Sequence, residues 1–210
     1  MIHPLPLSHD FGWNEIASRY IDLTTGRFVS RALVAQELEK VITASGNNIQ
    51  AVSQSLIDGS ISLPEWQLAM EREIKLIHTA SGAVARGGWS QMSQTDWGFV
   101  GAQIKKQYQW LDNFAVDIAR GKQKLDGRLL NRARLYAQSG RGTFEEMRRR
   151  MARNKGMTRE RRLLAPAEHC RGCIEQAAMS WQSIGTLDPI GAEECRTNCV
   201  CRFEYQQLSV

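Results

Sequence analysis

Between residues 30 and 155, apolar side chains recur mostly every three or four positions, the spacing of a helix with one buried face. Ser30 caps a first helix carrying Ala32, Leu33, Leu38 and Val41 to about Ala44, and Gly46-Asn47-Asn48 reads as its break. A second helix presents Ile49, Val52, Leu56 and Ile57 and stops at Asp58-Gly59. Ser62-Leu-Pro-Glu65 has the form of a capping box, with Pro64 in the first turn, where a missing N–H costs nothing. Trp66, Met70, Ile74 and Ile77 follow at helical spacing, with an end expected between Gly82 and Gly88. Ser93-Gln-Thr-Asp96 opens the longest amphipathic stretch, through Phe99, Ile104, Tyr108, Leu111, Phe114, Ala115 and Ile118 to Gly121. Leu125 to Ala137 predicts another helix, with Leu129, Leu130, Ala133 and Tyr136 inside. Ser139-Gly-Arg-Gly142 reads as an interruption and Thr143-x-x-Glu146 as a restart, ended by Asn154-Lys155-Gly156.

The pattern changes on both sides of this body. Pro4 and Pro6 favour an extended start, and Arg19 to Val29 reads as a hairpin turning at Thr25-Gly26. After Gly156, Arg161–Ala165 and the alternating Val200–Tyr205 predict two antiparallel strands, with a short helix from Ile174 to Trp181 and a loop from Gly185 to Gly191. The expected architecture is mainly α: a helical bundle with an extended N-terminal arm and a small C-terminal β-hairpin zinc module. The expected domains are 1–28 for the arm, 29–155 for the helical domain and 156–210 for the Cys-rich module.

Composition adds little until charge and cysteine are located. Hydrophobic residues make up 42% and charged residues 23% of 210 residues, an ordinary globular balance. No run of about 18 apolar residues is present, so no membrane span is expected. Met1 to Trp13 lacks a basic stretch followed by an apolar one, so no signal peptide is expected and a reducing compartment is. Net charge is +5, but Arg120 to Arg162 holds 15 Arg and Lys against 4 acids. Such asymmetry suits an acidic partner, DNA or protein, and equally a solvated helix face. Arg148, Arg149, Arg150 and Arg153 are expected to lie outward, because four Arg in six positions cover most of a helix circumference. The run has no interleaved aromatics, so any nucleic-acid binding would be independent of sequence.

All five cysteines fall between Cys170 and Cys201, as Cys170-x-x-Cys173 and Cys195-x3-Cys199-x-Cys201. Clustered thiols in a reducing compartment point to a metal, and zinc takes four such ligands in a tetrahedron. The candidate ligands are Cys170, Cys173, Cys195, Cys199 and Cys201, four of which would hold one structural zinc ion with no position left for a reacting water. Disulfides formed after lysis and plain buried thiols are the competing readings. His169 reads as a neighbour of the site. A thioredoxin-like role for Cys170-Arg-Gly-Cys173 would need a parallel α/β sheet, which the helical body does not predict.

Catalytic sets are missing. His3 and His9 lie in the arm, His78 reads as a satisfied interior or boundary residue, and no Gly-x-Ser-x-Gly, phosphate-loop or His-Glu-x-x-His motif occurs. No enzymatic activity is expected.

Asn198-Cys-Val-Cys201, set after Cys170-Arg-Gly-Cys173 and the Arg161-Arg162-Leu163 approach, resembles the end of tailed-phage head morphogenesis proteins, the Mu-like minor head protein family. The resemblance spans roughly residues 160 to 205; Tyr108 to Phe114 and Arg132 to Tyr136 share only a general style with related phage proteins. Arg196-Thr197 stands where that family has His-Pro, and Cys195 can replace the His as a ligand. The resemblance implies a non-enzymatic minor virion component near the portal or neck. It would be made in the host cytoplasm, contact portal, capsid or neck proteins, and form a homo-oligomer in the particle. The alternative from the residues alone is a zinc-containing, sequence-independent nucleic-acid-binding factor using Arg148, Arg149, Arg150 and Arg153.

Overall fold

The computed structural model describes residues 11–17 and 19–207; the proposed extended start around Pro4 and Pro6, with His3 and His9, lies outside them. The chain is mainly α, as its periodicity predicts. It divides into two compact units, Met1–Gly140 and Arg141–Val210.

The first unit opens with a hairpin of β1 (Phe11–Asn14) and β2 (Arg19–Asp22), paired antiparallel with Trp13 opposite Tyr20. The turn expected at Thr25-Gly26 is present: the Gly26 amide bonds Asp22 O, and Ile21 bridges Phe28. The extended-arm reading therefore fails for residues 11–28. Tyr20 is buried and donates from its hydroxyl to Val84 O at 3.1 Å, while Trp13 lies against Gly87.

Four long helices follow: α1 (Arg31–Ile57), α2 (Leu63–Arg86), α3 (Gln94–Ala119) and α4 (Gly127–Gln138). Ser30, Ser62, Ser93 and Asp126 cap them, and the boxes at Ser62/Glu65 and Ser93/Asp96 are both complete. The expected break at Gly46-Asn47-Asn48 is absent; α1 runs straight through. A Cβ on Gly46 would sit 3.7 Å from Arg134 and 3.8 Å from Ala137, so this glycine lets α4 pack closely on α1. That packing outweighs the roughly 1 kcal/mol that a mid-helix glycine costs. The core joins Ile49 and Leu56 of α1, Trp66, Met70 and Ile74 of α2, Leu111 and Phe114 of α3, and Leu129, Ala133 and Tyr136 of α4. Phe114 meets the Trp66 ring edge-on at 5.2 Å, and the indole N–H of Trp66 donates to Ser53 Oγ at 3.0 Å. Among the described residues no helix is long and apolar enough to cross a membrane.

Gly87 ends α2 at φ +103°, and an added Cβ would lie 2.3 Å from Trp13 Cδ2. Gly87→Ala therefore meets backbone strain and a ring together. It should cost about 2 kcal/mol or more, read as a fall in the melting temperature of the helical unit.

His78 is an interior residue, as expected. Its Nε2 lies 3.0 Å from Ser139 Oγ, whose own proton goes to Tyr136 O at 2.6 Å, so Nε2 carries the hydrogen. Burial pushes the imidazole down to about 4. The unfolded chain, titrating near 6.5, takes up a proton that the folded one refuses. Stability is therefore full above pH 6.5 and falls as pH drops toward 4, by about 3 kcal/mol in all. His78→Gln should flatten that slope in denaturation curves measured between those values; an unchanged slope would exclude His78 as its source.

In the second unit, α5 (Gly140–Asn154) precedes a three-stranded antiparallel sheet of β3 (Arg159–Leu163), β4 (Gln182–Ser183) and β5 (Arg202–Gln206), with α6 (Arg171–Ala178) between β3 and β4. Two corrections arise here. The helix starts at Gly140 and not at Thr143, which is buried within it, so Ser139-Gly-Arg-Gly142 interrupts the chain by one residue. The boundary falls at 140/141 and not at 155/156, so α5 belongs with the cysteine module. The side chains of α5 show why: Glu145 Oε2 accepts from the Phe203 amide at 3.3 Å, and the Arg149 guanidinium lies 4.1 Å over the Phe203 ring.

Candidate metal centre

Helix α6 begins at Cys170, its N-cap, which places Cys173 at the third helical position with the first-turn amides around it. Cys195 opens the short 3₁₀ turn Arg196–Asn198, Cys199 closes it, and Cys201 leads into β5. The two halves of the motif, separated along the chain, thereby converge. Cys170, Cys173 and Cys195 form one sulfur triad, and Cys173, Cys199 and Cys201 form a second; within each the sulfurs lie within 4.8 Å of one another. Cys173 Sγ lies 3.5 Å from Cys195 Sγ and 3.6 Å from Cys199 Sγ. Tetrahedral zinc–thiolate bonding puts sulfurs about 3.8 Å apart, so these separations fit a shared ion.

Cys173, Cys199 and Cys201 are buried and Cys170 and Cys195 half-buried, all five as free thiols. Together with Leu187, Ile190 and Phe203 the three buried sulfurs form one buried cluster of this unit, which also buries Phe144 and Met147 of α5. Without a cation the thiols share little negative charge. The hydrogen bond from Cys201 holds Cys199 low, at about 4. Cys201 is pushed up, first by that same bond and then by burial, and burial raises Cys173 and Cys195. Cys199 is thus the most acidic of these four thiols, and Cys173, Cys195 and Cys201 hold their protons more tightly.

The surroundings are built as tightly. Arg162, 2% exposed, donates from Nη1 to Cys173 Sγ at 3.3 Å and from Nη2 to Asp188 O at 2.5 Å. Glu194 accepts from the Gly172 amide at 3.0 Å and from the Cys170 thiol, which lowers its carboxyl. A Cβ on Gly172 would fall 2.0 Å from Glu193 Oε2, so Cys-x-Gly-Cys needs its glycine for space. His169 stands beside the site: Nε2 donates to Ala165 O at 2.6 Å, and Nδ1 lies 3.6 Å from Cys201 Sγ. Sequence spacing marked the cysteines but not the contact of Arg162 with Cys173; in the sequence Arg162 is one cation of the basic run and part of the Arg161-Arg162-Leu163 approach.

The basic run itself is not a uniform outer face. Arg149 is 5% exposed and pairs with Glu146 at 2.8 Å and with the fully buried Glu160 at 2.9 Å, while donating to Leu187 O at 3.0 Å. Arg148 pairs with Glu145 at 3.0 Å, Arg150 is half-buried, and Arg153 is exposed. The expectation that all four point outward holds for Arg153 and fails for Arg149, because Glu160 on β3 supplies the partner that makes burial tolerable. Arg153→Gln should leave unfolding unchanged within about 0.5 kcal/mol, and a larger loss would give its bond to Ile184 O structural weight.

Compared with known family profiles, curated proteins and solved structures, the chain matches none.

Proposed function

We propose that this chain is a non-enzymatic structural component of a tailed-phage virion, a minor head or neck protein, with its C-terminal module fixed by structural zinc. The observation that carries the reading is the convergence of the five cysteines beside a small antiparallel sheet, in the segment whose motifs resemble the end of minor head proteins. The zinc part rests on donor chemistry. Buried thiols at tetrahedral spacing, backed by a guanidinium, suit a soft-ligand ion closed off from substrate. A module with so small a core gains most of its order from such an ion. The alternative, a nucleic-acid-binding factor working through Arg148, Arg149, Arg150 and Arg153, loses support because Arg149 and Arg148 are engaged with Glu146, Glu160 and Glu145.

Mass spectrometry of purified virions and assembly intermediates, beside cryo-electron microscopy of the neck, tests the assignment. The protein should appear at fixed stoichiometry; absence from both particles and intermediates would end it.

A further inference from the structure

We infer that the cysteine cluster holds two metal ions in two tetrahedra that share the Cys173–Cys199 edge, with His169 as the sixth ligand. This inference rests on the metal reading above and enlarges it from one ion to two.

The observation behind it is that the five sulfurs do not form one tetrahedron with a spare. They form two triads with Cys173 common to both. Two four-coordinate ions sharing an edge need six donors, two of them bridging. Each triad offers three donors; Cys199, 3.6 Å from Cys173, would complete the first set and His169, 3.6 Å from Cys201, the second, each closing on the rest of its triad when the ion binds. The shared edge is the 3.6 Å separation of Cys173 and Cys199.

His169 is prepared for the sixth position. Its Nε2–H is committed to Ala165 O, which leaves the Nδ1 lone pair on the side of Cys201, 3.6 Å from that sulfur. A backbone carbonyl that fixes the tautomer in this way is the usual outer support of a histidine metal ligand.

The test is metal stoichiometry on the full-length protein, loaded with zinc under reducing conditions and freed of excess metal by gel filtration. Two zinc ions per chain are expected. NMR of the cadmium-loaded protein should give two metal resonances that split one another through the bridging sulfurs. His169→Ala should lower the zinc count from two to one. A plateau at one ion in the unmodified protein overturns the two-ion inference and leaves the single structural ion standing; no bound metal removes both. Two cadmium resonances without mutual splitting would exclude the shared edge. A count that stays at two in His169→Ala would exclude the histidine.

Discussion

Cys173→Ala should abolish metal binding and unfold the C-terminal unit, leaving the helical unit folded. Cys173 belongs to both sulfur triads and is fully buried, so no neighbouring donor can take its place. Structural zinc contributes on the order of 10 kcal/mol to small domains at neutral pH, as much as the whole net stability of many proteins. Against this the C-terminal unit sets a small apolar core, with Phe144, Met147, Leu187, Ile190 and Phe203 buried among its described residues. Amide exchange read separately for residues 141–207 and 19–140 would show the effect: protection lost in the first range and kept in the second. A chelator should reproduce it in the unmodified protein. Full protection of residues 141–207 in metal-free protein would remove the structural role assigned to the ion.

Glu160→Ala should have the second largest effect, about 3–5 kcal/mol of the C-terminal unit's stability. Glu160 is fully buried. Its Oε1 accepts from the Gly185 amide at 2.9 Å, the Leu187 amide at 3.2 Å and Arg149 Nη2 at 3.2 Å. Removing it leaves two loop amides without their acceptor and the buried guanidinium with Glu146 and Leu187 O alone, and breaking a buried pair costs far more than the intact pair contributes. Replacing both partners with apolar residues, Arg149→Met with Glu160→Leu, should recover much of the loss. A double-mutant cycle read by amide exchange within residues 141–207 decides it; additive effects would show the two side chains to be energetically independent.

The helix starts were legible because capping is local. Ser62 and Glu65, or Ser93 and Asp96, stand three residues apart and satisfy each other whatever the rest of the chain does. The cysteine set was legible because its spacing is itself the signal. Most of the misreadings involve distant partners. Gly46 looks like a breaker until α4 is known to pass close by, and Thr143 looks like a cap until Gly140 is seen to start the helix. Arg149 and Arg162 look like members of a solvated basic stripe until Glu160 and Cys173 are found beside them. Periodicity locates a helix face but does not say which cation on it will be drawn inward.

The sulfur-filled core has a practical consequence for making the protein. Cys173 has two thiol neighbours at almost equal distance, Cys195 and Cys199, so oxidation offers more than one pairing with little to choose between them. Exported to an oxidising compartment or purified without reductant, the chain should yield a mixture of cross-linked isomers, each lacking the sulfur centre. A preparation that runs as several species under non-reducing electrophoresis and as a single band after reduction has lost its C-terminal unit, even while the helical unit still gives a native circular dichroism spectrum.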